Sequence, residues 1–272
     1  MADVKRLEYR NVTMRFGEGA GQITAIQDVS FAVGDREVVS LIGPSGCGKS
    51  TLLNIGSGLY PPSEGGAFVD GVPVAGPNSH VAFMLQKDLL LPWRTVAENV
   101  MLGVEIQGVP AAERRRRAQA LLENLRLAEF ARHYPHQLSG GMRQRVALAR
   151  TLAVDPSVLL LDEPFSAVDA QTRMVLQRDL AQTLKRAAKT ALLITHDLME
   201  AVMLSDRVLV MSRRPGRIID EIAIDLPHRD DPIARGRDPK AGDYVARLMD
   251  RLDIGQVSDE LSLHEQTAEG AA

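Results

Sequence analysis

Gly43-Pro44-Ser45-Gly46-Cys47-Gly48-Lys49-Ser50-Thr51 stands between the apolar run Val38-Val39-Ser40-Leu41-Ile42 and the segment Leu52-Leu53-Asn54-Ile55. An apolar run, a glycine-rich loop and a second apolar segment, in that order, predict a strand, a phosphate-binding loop and a helix. Backbone N–H groups of such a loop wrap a phosphate, and the helix N-terminus adds a favourable dipole. Lys49 is then expected to reach the β- and γ-phosphates of a nucleoside triphosphate, and the Ser50 hydroxyl to ligate Mg²⁺. Gly43, Pro44, Ser45, Gly46, Cys47, Gly48 and Thr51 complete the predicted cradle. A plain glycine-rich turn is the competing reading, and the flanking strand and helix argue against it. Cys47, at the start of the predicted helix, is expected to carry a thiol of lowered pKa.

The surrounding 272 residues bound the answer further, since that length supports one large or two smaller domains. Hydrophobic residues make up 45% and charged residues 25%, ordinary proportions for a globular protein. The net charge of −3 provides no general electrostatic footprint for nucleic acid. The longest apolar runs, Val158 to Leu161 and Ala191 to Ile194, are far too short to span a bilayer, and Met1 to Arg6 lacks the apolar core of a secretory signal. A single cysteine excludes an internal disulfide and fits a reducing compartment. A soluble, cytoplasmic chain is the expectation.

Short apolar runs recur at Val38 to Ile42, Val81 to Met84, Val158 to Leu161, Ala191 to Thr195 and Val208 to Met211. They lack polar alternation, as parallel strands buried on both faces do. Between about Asp88 and Asp155 the pattern turns helical, with Ala118, Leu121, Leu122 and Leu125 at helical spacing within Ala111 to Leu127. Asp70-Gly71 between two short β-prone runs predicts a hairpin, and with it an N-terminal antiparallel sheet. The expected fold is α/β: a P-loop nucleotide-binding core with a parallel sheet flanked by helices, an N-terminal antiparallel β subdomain, and an inserted α-helical subdomain over about 88–155. The nucleotide-binding domain is expected over 1–254 and a flexible tail over 255–272, where residues are mostly small, polar or acidic. Arg114 to Arg117, beside Glu113 and Glu123, reads as a solvated helix face.

Val158-Leu159-Leu160-Leu161-Asp162-Glu163 is an apolar strand that ends in two acids. Beside a phosphate loop, Asp162 can hold Mg²⁺ while Glu163 orients and deprotonates the attacking water. Leu138-Ser139-Gly140-Gly141-Met142-Arg143-Gln144-Arg145 leads into Val146-Ala147-Leu148-Ala149-Arg150. Ser139 is a good N-cap there, and the two glycines leave N–H groups open at a second anion-ready helix start.

Taken in this order, the phosphate loop, the Leu-Ser-Gly-Gly-Met-Arg-Gln segment and the Leu-Leu-Leu-Asp-Glu-Pro strand resemble the ATPase subunits of ATP-binding cassette (ABC) transporters. The resemblance spans about residues 5 to 225. It implies that Gln86 is the Q-loop glutamine, touching Mg²⁺ or the attacking water and sensing a membrane partner. Ser166-Ala167-Val168-Asp169 is similar to the D-loop, with Val168 where the family more often has Leu, and Asp169 joins the implied nucleotide site. His196 matches the switch histidine, and Phe16 falls where the family stacks an aromatic on adenine, a contact made by the π-face and open to Phe. Also implied is a head-to-tail homodimer closing over two ATP molecules. Each site would combine Lys49, Ser50, Gln86, Asp162, Glu163 and His196 of one chain with Ser139, Gly140 and Gly141 of the other.

Asp88-Leu89-Leu90-Leu91-Pro92-Trp93-Arg94-Thr95-Val96, with Glu98-Asn99-Val100, and Arg213-Arg214-Pro215-Gly216-Arg217-Ile218 resemble the importer branch for nitrate, taurine, aliphatic sulfonates and related compounds. This implies an integral membrane permease docked near Trp93, a solute-binding protein as an indirect partner, no nucleic acid, and a peripheral location on the cytoplasmic face of the inner membrane. Gly56-Ser57-Gly58 and Asn78-Ser79-His80 depart from the usual pattern. An exporter or lipid-trafficking permease is one alternative. A soluble cassette acting on ribosomes or DNA is another, although such chains usually carry two cassettes or a long coiled coil.

Overall fold

The computed structural model describes residues 4–166 and 168–253, so the expected tail lies outside the described residues. The chain opens with two long strands, β1 (Lys5–Phe16) and β2 (Ile23–Gly34), followed by β3 (Val38–Ile42), the glycine-rich loop and α1 (Lys49–Gly56). Next come β4 (Glu64–Val69), the short β5 (Val72–Pro73) across the predicted Asp70-Gly71 turn, and β6 (Val81–Met84). Three helices follow: α2 (Val96–Ile106), α3 (Ala111–Asn124) and α4 (Gly140–Ala153). Strands and helices then alternate through β7 (Val158–Asp162), α5 (Ala170–Arg186), β8 (Thr190–Ile194), α6 (Leu198–Leu204) and β9 (Arg207–Met211). The described residues close with β10 (Ile218–Ala223), α7 (Pro232–Gly236) and α8 (Pro239–Arg251).

Two sheets result. One is antiparallel in the order β2-β1-β4-β5; the other has six strands in the order β10-β9-β3-β8-β7-β6, parallel except at the β10 edge. Every residue of β3, β7 and β8 is buried, which explains why these segments lack alternation in sequence. Helix α1 lies in the apolar core shared by the two sheets, where Ile26, Leu41, Leu52, Leu53, Ile55 and Leu160 meet. Each such side chain contributes about 1.5–3 kcal/mol by leaving water. Tyr9 on β1 donates its hydroxyl to the Leu52 carbonyl at 2.8 Å, and a Cβ at Gly56 would fall 2.2 Å from that hydroxyl. The unusual Gly56 thus makes room for Tyr9.

The parallel arrangement decides where chemistry can sit. Strands β6, β7, β8 and β3 all run the same way, so their carboxyl ends share one edge. At that edge the chain continues into Gln86, Glu163, His196 and the glycine-rich loop. Ligands of open α/β sheets bind outside the carboxyl ends of the strands.

Candidate functional site

Three glycines shape the loop after β3. Gly46 and Gly48 hold φ of 73° and 107°, conformations that L side chains rarely adopt. A Cβ on Gly48 would fall 2.3 Å from Ile26 Cγ2, so the loop rests on β2. Lys49 Nζ donates to the carbonyls of Gly43 and Pro44, at 2.7 and 3.0 Å. Its ammonium is therefore held over the loop itself. An open cleft of about 360 Å³ adjoins it, lined by Phe16, Ser45, Gly46, Gly48, Lys49, Ser50, Thr51 and Glu163 of the residues expected from sequence. Phe16 is 41% exposed and lines the cleft, whereas Tyr9 is 1% exposed. Tyr60 meets the Phe16 ring edge-on, with centroids 6.3 Å apart.

Cys47 corrects the sequence reading. Its side chain is 1% exposed and packs in the core with Ile26 and Leu41. Burial pushes the thiol pKa up, against the opposing influence of Lys49. The desolvation of a thiolate outweighs the helix N-terminus here. The buried Cys47 Sγ lies 3.9 Å from Lys49 Nζ.

Glu163 Oε2 is the convergence point of the sheet edge. Gln86 Nε2 donates to it at 3.2 Å, and His196 Nδ1 lies 3.2 Å from the same oxygen. Glu163 itself has φ of 44°, an uncommon backbone conformation for a residue with a side chain. Asp162, one residue earlier, is buried; desolvation raises its pKa, a hydrogen bond from Ser50 acts against the rise, and the neighbouring Glu163 charge adds to it. Ser50, Asp162 and Gln86 offer hydroxyl, carboxylate and amide oxygens, the hard donor set that suits Mg²⁺.

Ser139, Gly140, Gly141 and Asp169 do not line this cleft. Ser139 Oγ caps α4 by accepting from Met142 N at 3.3 Å, and Asp169 caps α5 by accepting from Thr172 N at 3.0 Å. The two caps pack together, since a Cβ on Gly141 would meet Thr172 Cγ2 at 2.5 Å. Helix α4 also carries the segment after β6. Gln144 Nε2 donates to the Gln86 carbonyl, Arg143 pairs with Asp88 at 2.9 Å, and Arg150 donates to the carbonyls of Asp88 and Leu89.

The family described as ABC transporter matches residues 26–166. The chain belongs to the ABC transporter family. An uncharacterized ABC transporter ATP-binding protein of Methanocaldococcus jannaschii is 45% identical over 221 residues, covering 81% of this chain and 83% of the relative. The taurine import ATP-binding protein TauB of Burkholderia pseudomallei is 46% identical over 220 residues, 81% of this chain and 85% of that one. TauB of Yersinia pestis is 44% identical over 246 residues, 89% and 95%. A solved dimer of the ATP-binding cassette MJ0796, in a post-hydrolysis state bound to ADP and Pi, superposes with a TM-score of 0.72 at 33% identity. It covers 80% of this chain and 99% of the solved one. This ABC transporter chain is thus an ATP hydrolase of the transport class, with the P-loop core, antiparallel β subdomain and inserted helical subdomain read from its sequence.

Ile23, Ala25 and Arg214 also line the ABC cleft and were not expected there. Ile23 pairs with Phe16 across β1 and β2. Nothing in an isolated sequence announces that register. Arg214 arrives from the distant β9–β10 connection, so its signal is tertiary.

Trp93 is 71% exposed, on a loop that α2 holds from below. The fully buried Asn99 accepts from Leu91 N at 2.8 Å and donates to the carbonyls of Leu91, Arg94 and Thr95. Thr95 and Glu98 complete a capping box at the same helix start. A cavity of about 360 Å³ beside Trp93 is lined by Arg94, Glu98, Met101, Glu105 and Arg114. In the arginine run, Arg116 and Arg117 pair with Glu113, while Arg114 faces Glu105. Among the described residues no helix is long and apolar enough to cross a membrane.

Proposed function

We propose that this chain energises a binding-protein-dependent importer, hydrolysing Mg-ATP to drive uptake of a small anionic or zwitterionic solute of the taurine, sulfonate or nitrate kind. The convergence of Gln86 and His196 on Glu163 Oε2, beside the Lys49 cleft, carries the hydrolytic half of this reading. The names of relatives 44–46% identical over most of both chains support the importer half.

The residues divide the work as follows. Phe16 stacks on the adenine, and the backbone from Gly43 to Thr51 cradles the phosphates. Lys49 neutralises charge on the β- and γ-phosphates. Ser50, Asp162 and Gln86 would hold Mg²⁺, which when bound spreads the charge that builds on the phosphate oxygens. Glu163 takes a proton from the attacking water as its oxygen bonds to the γ-phosphorus and the bond to the bridging oxygen breaks. His196 orients the Glu163 carboxylate and reaches the γ-phosphate.

Ser139, Gly140, Gly141 and Asp169 complete the site of a second copy in a head-to-tail homodimer. Two facts support that assignment: these residues do not line their own chain's cleft, and the MJ0796 cassette was solved as a dimer. The chain then works peripherally on the cytoplasmic face of the inner membrane, with an integral permease seated near Trp93 and a solute-binding protein acting through that permease. A pull-down of the tagged chain from native membranes in mild detergent tests the proposal. A co-purifying multi-span permease supports it, while recovery of ribosomes or DNA in place of a membrane protein overturns it.

A further inference from the structure

The connection between β9 and β10 does not loop into solvent but lies against the phosphate loop. Gly216 donates its N–H to the Ala25 carbonyl at 2.9 Å, and its own carbonyl accepts from Gln27 N at 3.0 Å. A Cβ at position 216 would fall 2.0 Å from the Cys47 carbonyl oxygen, so only glycine permits this approach. The approach delivers Arg214 to the cleft, where Nε and Nη2 both donate to the Gly46 carbonyl at 3.3 and 3.1 Å. Among the described residues these are its only hydrogen bonds, and no carboxylate neutralises it. An anion in this cleft meets two cations from separate elements, Lys49 of α1 and Arg214 of the β9–β10 connection.

We propose that Arg214 is a nucleotide-binding residue, held at the Gly46 carbonyl so that its charge acts on the polyphosphate of the bound nucleotide. The proposal rests on the ATPase reading above and adds a residue to it. Phosphate rather than base is the target, because the guanidinium is tied to the loop that cradles phosphates and not to the Phe16–Ile23 end of the cleft. The alternative is that Arg214 only clasps the loop.

Two substitutions separate these roles. Arg214→Gln can still donate an amide hydrogen to the Gly46 carbonyl but carries no charge; Arg214→Lys keeps the charge. Affinities for ATP, ADP and AMP are measured by titration calorimetry at low and high salt, with thermal midpoints taken without nucleotide. Arg214→Gln is expected to bind ATP about three- to tenfold more weakly at low salt, with the loss shrinking from ATP to AMP and as salt rises. Arg214→Lys is expected to stay within about twofold of wild type. Unchanged ATP affinity in Arg214→Gln, or an equal loss for all three nucleotides, overturns the proposal. If Arg214→Gln melts early, the Lys variant decides: recovery of the graded preference supports the charge, and its absence overturns it. Failure of the unmodified chain to bind ATP at all would overturn the ATPase reading instead.

Discussion

Nδ1 of His196 and Oε2 of Glu163 stand 3.2 Å apart, and Gln86 Nε2 reaches the same oxygen at 3.2 Å. A carboxylate held from two sides is oriented before substrate arrives, which is what a base acting on one water molecule requires. Glu163→Gln preserves the shape and removes the base. It is expected to retain ATP binding and lower steady-state hydrolysis by at least about 100-fold. Because ATP then persists at the interface, light scattering should find a dimer in Mg-ATP; a persistent monomer at saturating ATP would sink the sandwich arrangement.

Lys49 offers its ammonium to the loop carbonyls of Gly43 and Pro44, and a phosphate competes for the same hydrogens. Charge-assisted hydrogen bonds contribute about 1.5–3 kcal/mol each. Lys49→Ala is therefore expected to weaken ATP binding roughly 10- to 100-fold and to abolish turnover. Unchanged hydrolysis in that variant means that the cleft is not the catalytic one.

Cys47 is buried, with its thiol pKa raised, so maleimide should label the native chain slowly. Labelling is expected to be fast in denaturant, where the thiol is exposed. Mass spectrometry after timed quenching reads the difference. Rapid stoichiometric labelling of the folded chain contradicts the buried position.

Cys47 also marks the boundary of what the sequence made legible. The strands β3, β7, β8 and β9 are readable because a parallel sheet buried on both faces leaves unbroken apolar runs, and β6, at the sheet edge with Val81 and Phe83 half-buried, is readable because all four of its residues are apolar. The loop residues were readable because phosphate binding demands glycines and a lysine at fixed spacing. The direction of the Cys47 side chain was not, since helix-start chemistry and core packing make opposite demands on one position and only the tertiary structure decides between them. The place of Arg214 in the cleft is not legible in the sequence, because 168 residues separate it from the Gly46 carbonyl. The anchoring of Asp88 and Leu89 by Arg143 and Arg150 is likewise a contact between segments far apart in the chain.

Glu200 is buried on α6, accepts from Gln177 Nε2 at 2.9 Å, and has its pKa raised above 4.5 by desolvation. In the pH interval between the unfolded and folded pKa values, the folded chain binds more protons than the unfolded one. This group's effect therefore lowers stability as pH rises from about 4.5 through the folded value. Glu200→Gln keeps an acceptor for Gln177 and removes the charge. Relative to wild type, its thermal midpoint should rise as the pH increases above about 4.5 and level off once Glu200 is ionised in the folded chain, a trend read by differential scanning fluorimetry in buffers up to pH 8. A constant difference across that range rejects the assignment.

Asn99 and Trp93 make a pair whose variants should fail in different ways. Asn99 is buried and ties together Leu91, Arg94 and Thr95, whereas Trp93, on the loop so held, is 71% exposed. Removing the Asn99 amide strands those backbone groups, so Asn99→Ala is expected to cost about 2–3 kcal/mol in urea unfolding. Truncating Trp93 removes exposed surface and strands nothing, so Trp93→Ala should leave the urea midpoint and the ATPase rate of the isolated chain within error. If the ring anchors the permease, its loss should weaken capture of the membrane partner by about 30-fold or more, the cost of a buried aromatic anchor. Unchanged capture by Trp93→Ala removes the tryptophan from the docking surface without touching the ATPase assignment. Loss of stability in Trp93→Ala would instead mean that the ring supports its own loop.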